Sequence, residues 1–308
     1  MGKMQSIVLL LVLALACPSR TGIAHAKDVP TITSVARPAE GEFPDPCQDL
    51  SLSAALKNAL SIVCSRPQVE GTQHRVQQSI ILGFVGGFVK ADDVTHPEVL
   101  VARYLQSRYG AAVHVGIFAN HEHRKAIKET LLRLDTDKDG SLSEMEKKQT
   151  KIILYGHSWG ASEVLSFSRE LQRQAIPVAL TIQIDSVKKF RQNDHTVPPN
   201  VARAVNFYQR KGFTPGQPLI VPADAAQTNI LGNFQMNYEG HQVNCDNYRW
   251  LSRVFNKAHH QIENDPQVWA AIASLIDSEV LTTAAESQAT SSIACSRYCT
   301  DPKAAENR

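Results

Sequence analysis

Short, almost continuous apolar runs alternate along this chain with longer stretches in which apolar residues recur at helical spacing. Ser79 to Leu82 is the first such run and ends in Gly83-Phe84-Val85-Gly86-Gly87. A helical pattern follows over His96–Tyr109, a strand over Val113–Ala119 and a helix over His123–Leu134. The alternation repeats with a strand at Lys151–Tyr155, a helix at Ala161–Gln174 and a strand at Val178–Ile184. Weaker strands are expected at Val201–Tyr208 and Pro218–Val221, a further one at Ile230–Met236, and a final helix at Pro266–Ile276. Leu52–Val63 also has helical spacing. Strands that are apolar throughout, separated by helices, predict a mostly parallel sheet covered on both faces, an α/β fold with three α/β/α layers. Residues 27–76 read as a lead-in, extended at first, 77–277 as the folded domain, and 278–308 as a polar, loosely held tail. No internal repeat is visible.

The 308 residues are 43% hydrophobic and 20% charged, enough to bury a core and too apolar for wholesale disorder. Aromatic residues make up 6%, and 32 Lys and Arg face 30 Asp and Glu. With no basic run, a nucleic-acid partner is not expected. Lys3, the apolar run Ser6–Ala16 and Ala24-His25-Ala26 have the layout of a signal peptide over residues 1–26, cleaved before Lys27. The competing reading makes Cys17 a lipid-modified N-terminus. Either implies export, to the periplasm or outside the cell. No other apolar run reaches membrane-spanning length, and nothing suggests a partner protein. Export permits disulfides. Cys47–Cys64 and Cys295–Cys299 are the sequence-near pairings and would leave Cys245 alone, but connectivity is open.

The strongest chemical signal is Gly156-His157-Ser158-Trp159-Gly160, a G-x-S-x-G with an apolar strand before it and a helix after it. A reversal this tight exposes the Ser158 hydroxyl above the sheet and leaves the Trp159 amide facing the place where an oxyanion would form. A nucleophilic serine needs a base, and the base an orienting acid. His259 and His260 lie just before the last helix, in a segment expected to be a loop, and His241 lies earlier. Asp185 closes the strand after the nucleophile unit, and Asp224 follows the weak strand at Pro218–Val221. Asp194 lies in a polar loop. The glycine-rich segment after Leu82 is expected to lend a second oxyanion amide, from Phe84.

Together these residues resemble the α/β-hydrolase superfamily over roughly residues 78–277. The resemblance implies that fold, a Ser158–His259–Asp185 triad and acyl chemistry on a small-molecule or lipid ester. An acid directly after the nucleophile unit is similar to thioesterase domains and some lipase-like enzymes, whereas most members place it one strand later. That keeps Asp224 open beside Asp185. His259-x-x-Ile262-x-x-Asp265-Pro266-x-Val268-Trp269 is similar to the ending of bacterial lipase-like hydrolases, in which the opening histidine is the base. Gly83 stands where many members have His-Gly, and Ala161 where a second glycine is frequent. A thioesterase or acyltransferase using the same site, and a non-catalytic calcium-dependent binding module, are the other readings.

Asp135-Thr136-Asp137-Lys138-Asp139-Gly140-Ser141-Leu142-Ser143-Glu144-Met145-Glu146 has EF-hand spacing. Asp135, Asp137, Asp139, Ser143 and Glu146 would offer side-chain oxygens to Ca²⁺ and Ser141 its carbonyl. Gly140 permits the turn and Leu142 packs inward. Lys147 replaces the usual apolar residue, the exit helix is short and no partner hand is visible, which favours a structural clamp over a sensor. His121-Glu122-His123 opens a helix and lacks a nearby third ligand, so it reads as structural.

Overall fold

The computed structural model describes residues 47–48, 54–65 and 74–283. These belong to one unit, Phe43–Arg308. The expected signal peptide, Cys17, Cys295 and Cys299 lie outside the described residues.

In chain order the elements are α1 (Ala54–Cys64), β1 (His74–Val76), β2 (Ser79–Val85), α2 (Pro97–Tyr109), β3 (Val113–Ala119), α3 (His123–Leu134), α4 (Glu144–Gln149), β4 (Lys151–His157) and α5 (Trp159–Arg173). There follow β5 (Val178–Ile184), β6 (Thr196–Val197), β7 (Val201–Tyr208), β8 (Val221–Pro222), β9 (Asn229–Gln235), α6 (Trp250–Phe255), α7 (Lys257–Glu263), α8 (Pro266–Val280) and β10 (Leu281–Thr283).

The main sheet has six parallel strands in the order β3-β2-β4-β5-β7-β9. Each strand side chain points to the face opposite its neighbour's. Ile81, Ile153, Tyr155, Ile182 and Phe207 therefore share one core with Leu105 of α2 and Trp269, Ile272 and Ile276 of α8. Ile80, Leu82, Phe84, Ile152 and Leu154 share the opposite core with Leu134 of α3 and Leu165, Phe167 and Leu171 of α5. Burial on both faces explains why β2 and β4 are apolar between their ends, Ile80–Val85 and Ile152–Gly156. This is the three-layer arrangement expected from the sequence.

Strand order reverses between β2 and β4, because β3 lies on the far side of β2. In an open parallel sheet, such a switch point opens a crevice beyond the carboxyl ends of the strands. The ends of β2 and β4 are the two glycine-containing segments singled out by their sequence.

Several boundaries differ from expectation. β2 continues through Val85, since β3 and β4 pair with it on both sides as far as Phe84 and hold Gly83 inside the ladder. Of the expected Pro218–Val221 region only Val221 is strand; with Pro222 it forms β8, which pairs with β6 in a separate small sheet. The segment carrying His259 is helix α7, not a loop. The fold does not loosen at Asp277: α8 runs to Val280, Asp277 accepts from Arg108 and Tyr109, Glu279 pairs with Arg203 and Lys151, and β10 pairs with β1. A polar tail composition concealed these anchors. Cys47 is disulfide-bonded to Cys64, and Cys245 is a buried free thiol. No helix among the described residues is long and apolar enough to cross a membrane.

Gly160 shows how closely α5 packs on β2. A Cβ there would stand 1.9 Å from the Phe84 carbonyl oxygen, which is fixed inside the sheet. Gly160→Ala should destabilise the protein by about 1–3 kcal/mol or more, as overpacking against an unyielding neighbour does. Urea unfolding followed by circular dichroism measures it, and an unchanged midpoint would mean that the two elements can separate freely.

Candidate active site at the sheet switch point

Between the last residue of β4 and the first of α5 there is one residue, Ser158. Its φ of 57° and ψ of −121° place a non-glycine residue in left-handed territory. Such a conformation costs about 1–3 kcal/mol and persists only where its surroundings impose it. Here the Ser158 amide donates to the Ile184 carbonyl at 2.9 Å, and its own carbonyl accepts from the Val187 amide at 3.2 Å. The side chain remains half-buried at the mouth of the crevice.

Asp185 directly follows β5 and also has positive φ, at 45°. Its amide donates to the Phe207 carbonyl at 2.7 Å, and its side chain is fully buried. Gln209 supports the carboxylate twice, its backbone N–H reaching Oδ1 and its Nε2 reaching Oδ2, both at 2.9 Å. The other neighbour of Oδ2 is His259 Nδ1, at 2.6 Å. Across the ring, His259 Nε2 lies 3.0 Å from Ser158 Oγ. Three residues from three separate elements thus form one hydrogen-bonded line.

The electrostatics favour a neutral imidazole at its centre. Burial lowers the His259 pKa and the neighbouring His157 lowers it further, against the pull of Asp185. With Nδ1–H donating to Asp185, Nε2 is left as an acceptor for the Ser158 hydroxyl.

The alternatives are not brought to this line. Asp224 is exposed and accepts from the Ala226 amide in its own turn. Asp194 is buried but bonds Ser186 Oγ at 2.9 Å. His260 points its Nε2 at Ser252 Oγ, 2.7 Å away, and stacks on Tyr248. His241 is exposed. The Trp159 amide opens α5, where the first N–H groups have no intrahelical acceptor and carry the positive end of the helix dipole. Phe84 differs from expectation. It lies within β2, paired with Phe118 on one side and Gly156 on the other, its ring in the core. Because β2 runs on to Val85, the segment residue against Ser158 is Gly86, where a Cβ would stand 2.9 Å from Ser158 Cβ.

Some of the supporting residues carried no sequence signal. Gln209 looks like any polar residue after a strand. His157 occupies an unspecified place in the elbow pattern, yet its ring centroid lies 4.5 Å from that of His259. Burial opposes a charge on His157, but the Glu263 and Glu98 carboxylates outweigh it and hold its pKa up to about 9. Only tertiary folding brings Glu98 and Glu263 here.

The loop 135–146 sits between α3 and α4. Asp135 Oδ2 accepts from the Gly140 amide at 3.1 Å, Asp137 Oδ1 from Asp139 at 3.1 Å, and Asp139 Oδ1 from Ser141 at 2.8 Å. Ligand atoms of Asp135, Asp137 and Glu146 lie within 4.8 Å of one another. Asp135 Oδ1 is buried and has no hydrogen-bond partner, as a cation ligand would be. Ser143 caps α4 in a reciprocal capping box with Glu146, and Leu142 packs on the core. The oxygen-rich donor set suits a hard cation. His123 bonds Glu163 at 2.5 Å and Glu122 accepts from the Ala119 amide, so His121-Glu122-His123 does not converge.

No family model matches the chain, and no curated protein matches it. Among solved structures, a candidate hydrolase from Legionella pneumophila subsp. pneumophila str. Philadelphia 1 is 13% identical, with a TM-score of 0.25. The match covers 45% of this chain and 50% of that one, so the chain spans about half the length of that protein.

Gln209→Ala should remove the Nε2 donor to Asp185 while leaving the backbone donor in place. Loss of a buried hydrogen bond to a charged group costs about 1.5–3 kcal/mol. Denaturant unfolding measures the change, and unaltered stability would show that Asp185 is held without this side chain.

Proposed function

We propose that this chain is a serine hydrolase of the α/β-hydrolase type, cleaving carboxylic esters with Ser158 as nucleophile, His259 as base and Asp185 as orienting acid. The observation that carries the proposal is the line Ser158 Oγ–His259 Nε2–His259 Nδ1–Asp185 Oδ2, with links of 3.0 and 2.6 Å. His259 takes the Ser158 proton as Oγ attacks the ester carbonyl carbon. Asp185 holds the imidazole tautomer and stabilises the imidazolium without itself being protonated. The tetrahedral oxyanion is received by the Trp159 amide and by an amide of the Gly86–Gly87 turn. Loss of one such donor typically costs about 2.7–4 kcal/mol of transition-state stabilisation. The protonated His259 then delivers its proton to the leaving alcohol, and water resolves the acyl-enzyme by the same route in reverse.

An ester with an apolar portion, from a small molecule or a lipid, suits the rim. Phe88 is 89% exposed and meets Trp159 edge-on, with centroids 5.3 Å apart. Export by residues 1–26 is part of the proposal, and the Cys47–Cys64 disulfide accords with an oxidising compartment.

The loop 135–146 is proposed to hold a structural Ca²⁺ through Asp135, Asp137, Asp139, Ser143, Glu146 and the Ser141 carbonyl. The buried, unpartnered Asp135 Oδ1 supports this. Bound there, the ion supplies positive charge to a crowded acidic turn and ties α3 to α4, just before the strand that leads to Ser158. An affinity of about 10⁻⁴–10⁻³ M, as in extracellular modules, is expected.

Turnover of p-nitrophenyl acetate and butyrate tests the catalytic reading. Ser158→Ala should abolish it, and Asp185→Asn should lower kcat by about 10⁴-fold, as loss of the orienting acid does elsewhere. Equal turnover by wild type and Ser158→Ala would instead favour a non-catalytic binding module. For the loop, excess Ca²⁺ should raise Tm in wild type and leave Asp137→Asn unmoved; an identical Tm in both, with and without Ca²⁺, would remove the ion from the account.

A further inference from the structure

Next to the triad, with His157 against the His259 ring at 4.5 Å between centroids, lies a group of side chains that the hydrolytic reading does not use. His96 precedes α2 and Glu98 sits in its first turn, His157 ends β4, and Glu263 ends α7. Glu98 is 0% exposed, Glu263 2% and His157 3%. Two carboxylates are therefore held in a region from which water is excluded, where an uncompensated charge is very costly.

One of their contacts is a hydrogen bond and two are longer than one. His96 Nδ1 meets Glu263 Oε1 at 2.7 Å, but His157 Nδ1 stands 3.4 Å from Glu98 Oε1 and 3.5 Å from Glu263 Oε2. Those two separations exceed the usual N–H···O range of about 2.7–3.2 Å. Both oxygens of Glu98 are buried with no hydrogen-bond partner. Two atoms that each bind a tetrahedral Zn²⁺ at about 2.0–2.1 Å stand about 3.4 Å apart along an edge of the coordination shell. The two separations around His157 fit that edge, and the 2.7 Å His96–Glu263 hydrogen bond is the contact that an ion would have to replace. Ligand atoms of His96, Glu98 and Glu263 also lie within 4.8 Å of one another.

We propose that His96, Glu98, His157 and Glu263 form a buried site for a divalent transition metal of the zinc type. Two imidazole nitrogens and two carboxylate oxygens match the ligand preference of Zn²⁺, whereas Ca²⁺ takes six to eight oxygens. Two carboxylates neutralise a dication, so the filled site is uncharged and the imidazoles bind without protons. Aromatic side chains anchor the backbone of both glutamates and approach His96. Tyr155 Oη donates to the Glu98 carbonyl at 2.9 Å, Trp269 Nε1 to the Glu263 carbonyl at 2.6 Å, and Tyr248 Oη lies 3.4 Å from His96 Nδ1. With all four ligands supplied by the chain, the site is structural. It pins the end of α7, the helix that carries His259, to β4 and to the start of α2. This inference does not depend on the ester-hydrolase reading.

The test uses the full chain, stripped with dipicolinate, desalted and titrated with Co²⁺ as a visible probe and then with Zn²⁺. The expected result is a ligand-field band that saturates at one Co²⁺ per chain and is displaced by Zn²⁺, with a rise in Tm. Glu98→Gln and Glu263→Gln should lose the band, while Asp137→Asn in the calcium loop keeps it. Folded wild type that develops no band overturns the proposal, and protons on His96 and His157 then balance the carboxylates. A band that survives Glu98→Gln but disappears in Asp137→Asn overturns it too, since the ion would be in the loop. Should the glutamate variants fail to fold, the wild-type titration still decides, and zinc analysis of the protein as purified provides the independent check.

Discussion

A parallel strand can enter a helix that covers its own sheet only if the chain reverses sharply between them, and here the reversal falls on a single residue with a side chain. Ser158 adopts left-handed backbone angles because everything around it is fixed. Gly160 rests against the Phe84 carbonyl, the Ser158 amide is tied to Ile184, and Val187 is tied back to Ser158. The strain of about 1–3 kcal/mol is small beside the burial of β2, β4 and α5 that imposes it. What it produces is a hydroxyl held at the mouth of the switch-point crevice rather than in either core.

Charge is the second constraint. Asp185 is fully buried, and its compensation is specific: two donors from Gln209 and one from His259. The same imidazole faces His157 on its other side, and burial, with a smaller contribution from His157, lowers its pKa while Asp185 orients it. The cluster behind it carries two more carboxylates. The proposed metal site and the proposed triad meet at α7, which carries both His259 and Glu263. Rigidity there bears directly on the 3.0 Å link to Ser158.

How much of this was legible in the sequence varied with the range of the interaction responsible. Val113–Ala119, His123–Leu134, Val178–Ile184 and Val201–Tyr208 coincide with the expected segments, because local periodicity and full burial govern them. Ser158 could be singled out from the strand–turn–helix setting; chain order left Asp185 beside Asp224 and His259 beside His260, and only the family resemblance preferred His259. The mutual distances of the three could not be read. Phe84 was expected beyond the strand because glycine often ends one, whereas neighbours on both sides keep Gly83 and Phe84 within this one. Helix α7 was read as a loop because its seven residues are too few for a periodic signal. Gln209, Glu98 and Glu263 acquire meaning only from tertiary contacts.

The central claim is that the geometry around Ser158 makes its hydroxyl a nucleophile. Intact-mass measurement after exposure to a fluorophosphonate tests it without any assumption about the natural substrate. The account predicts a single adduct on wild type and none on Ser158→Ala. Folded wild type that remains unmodified, or an adduct that persists in Ser158→Ala, would contradict it.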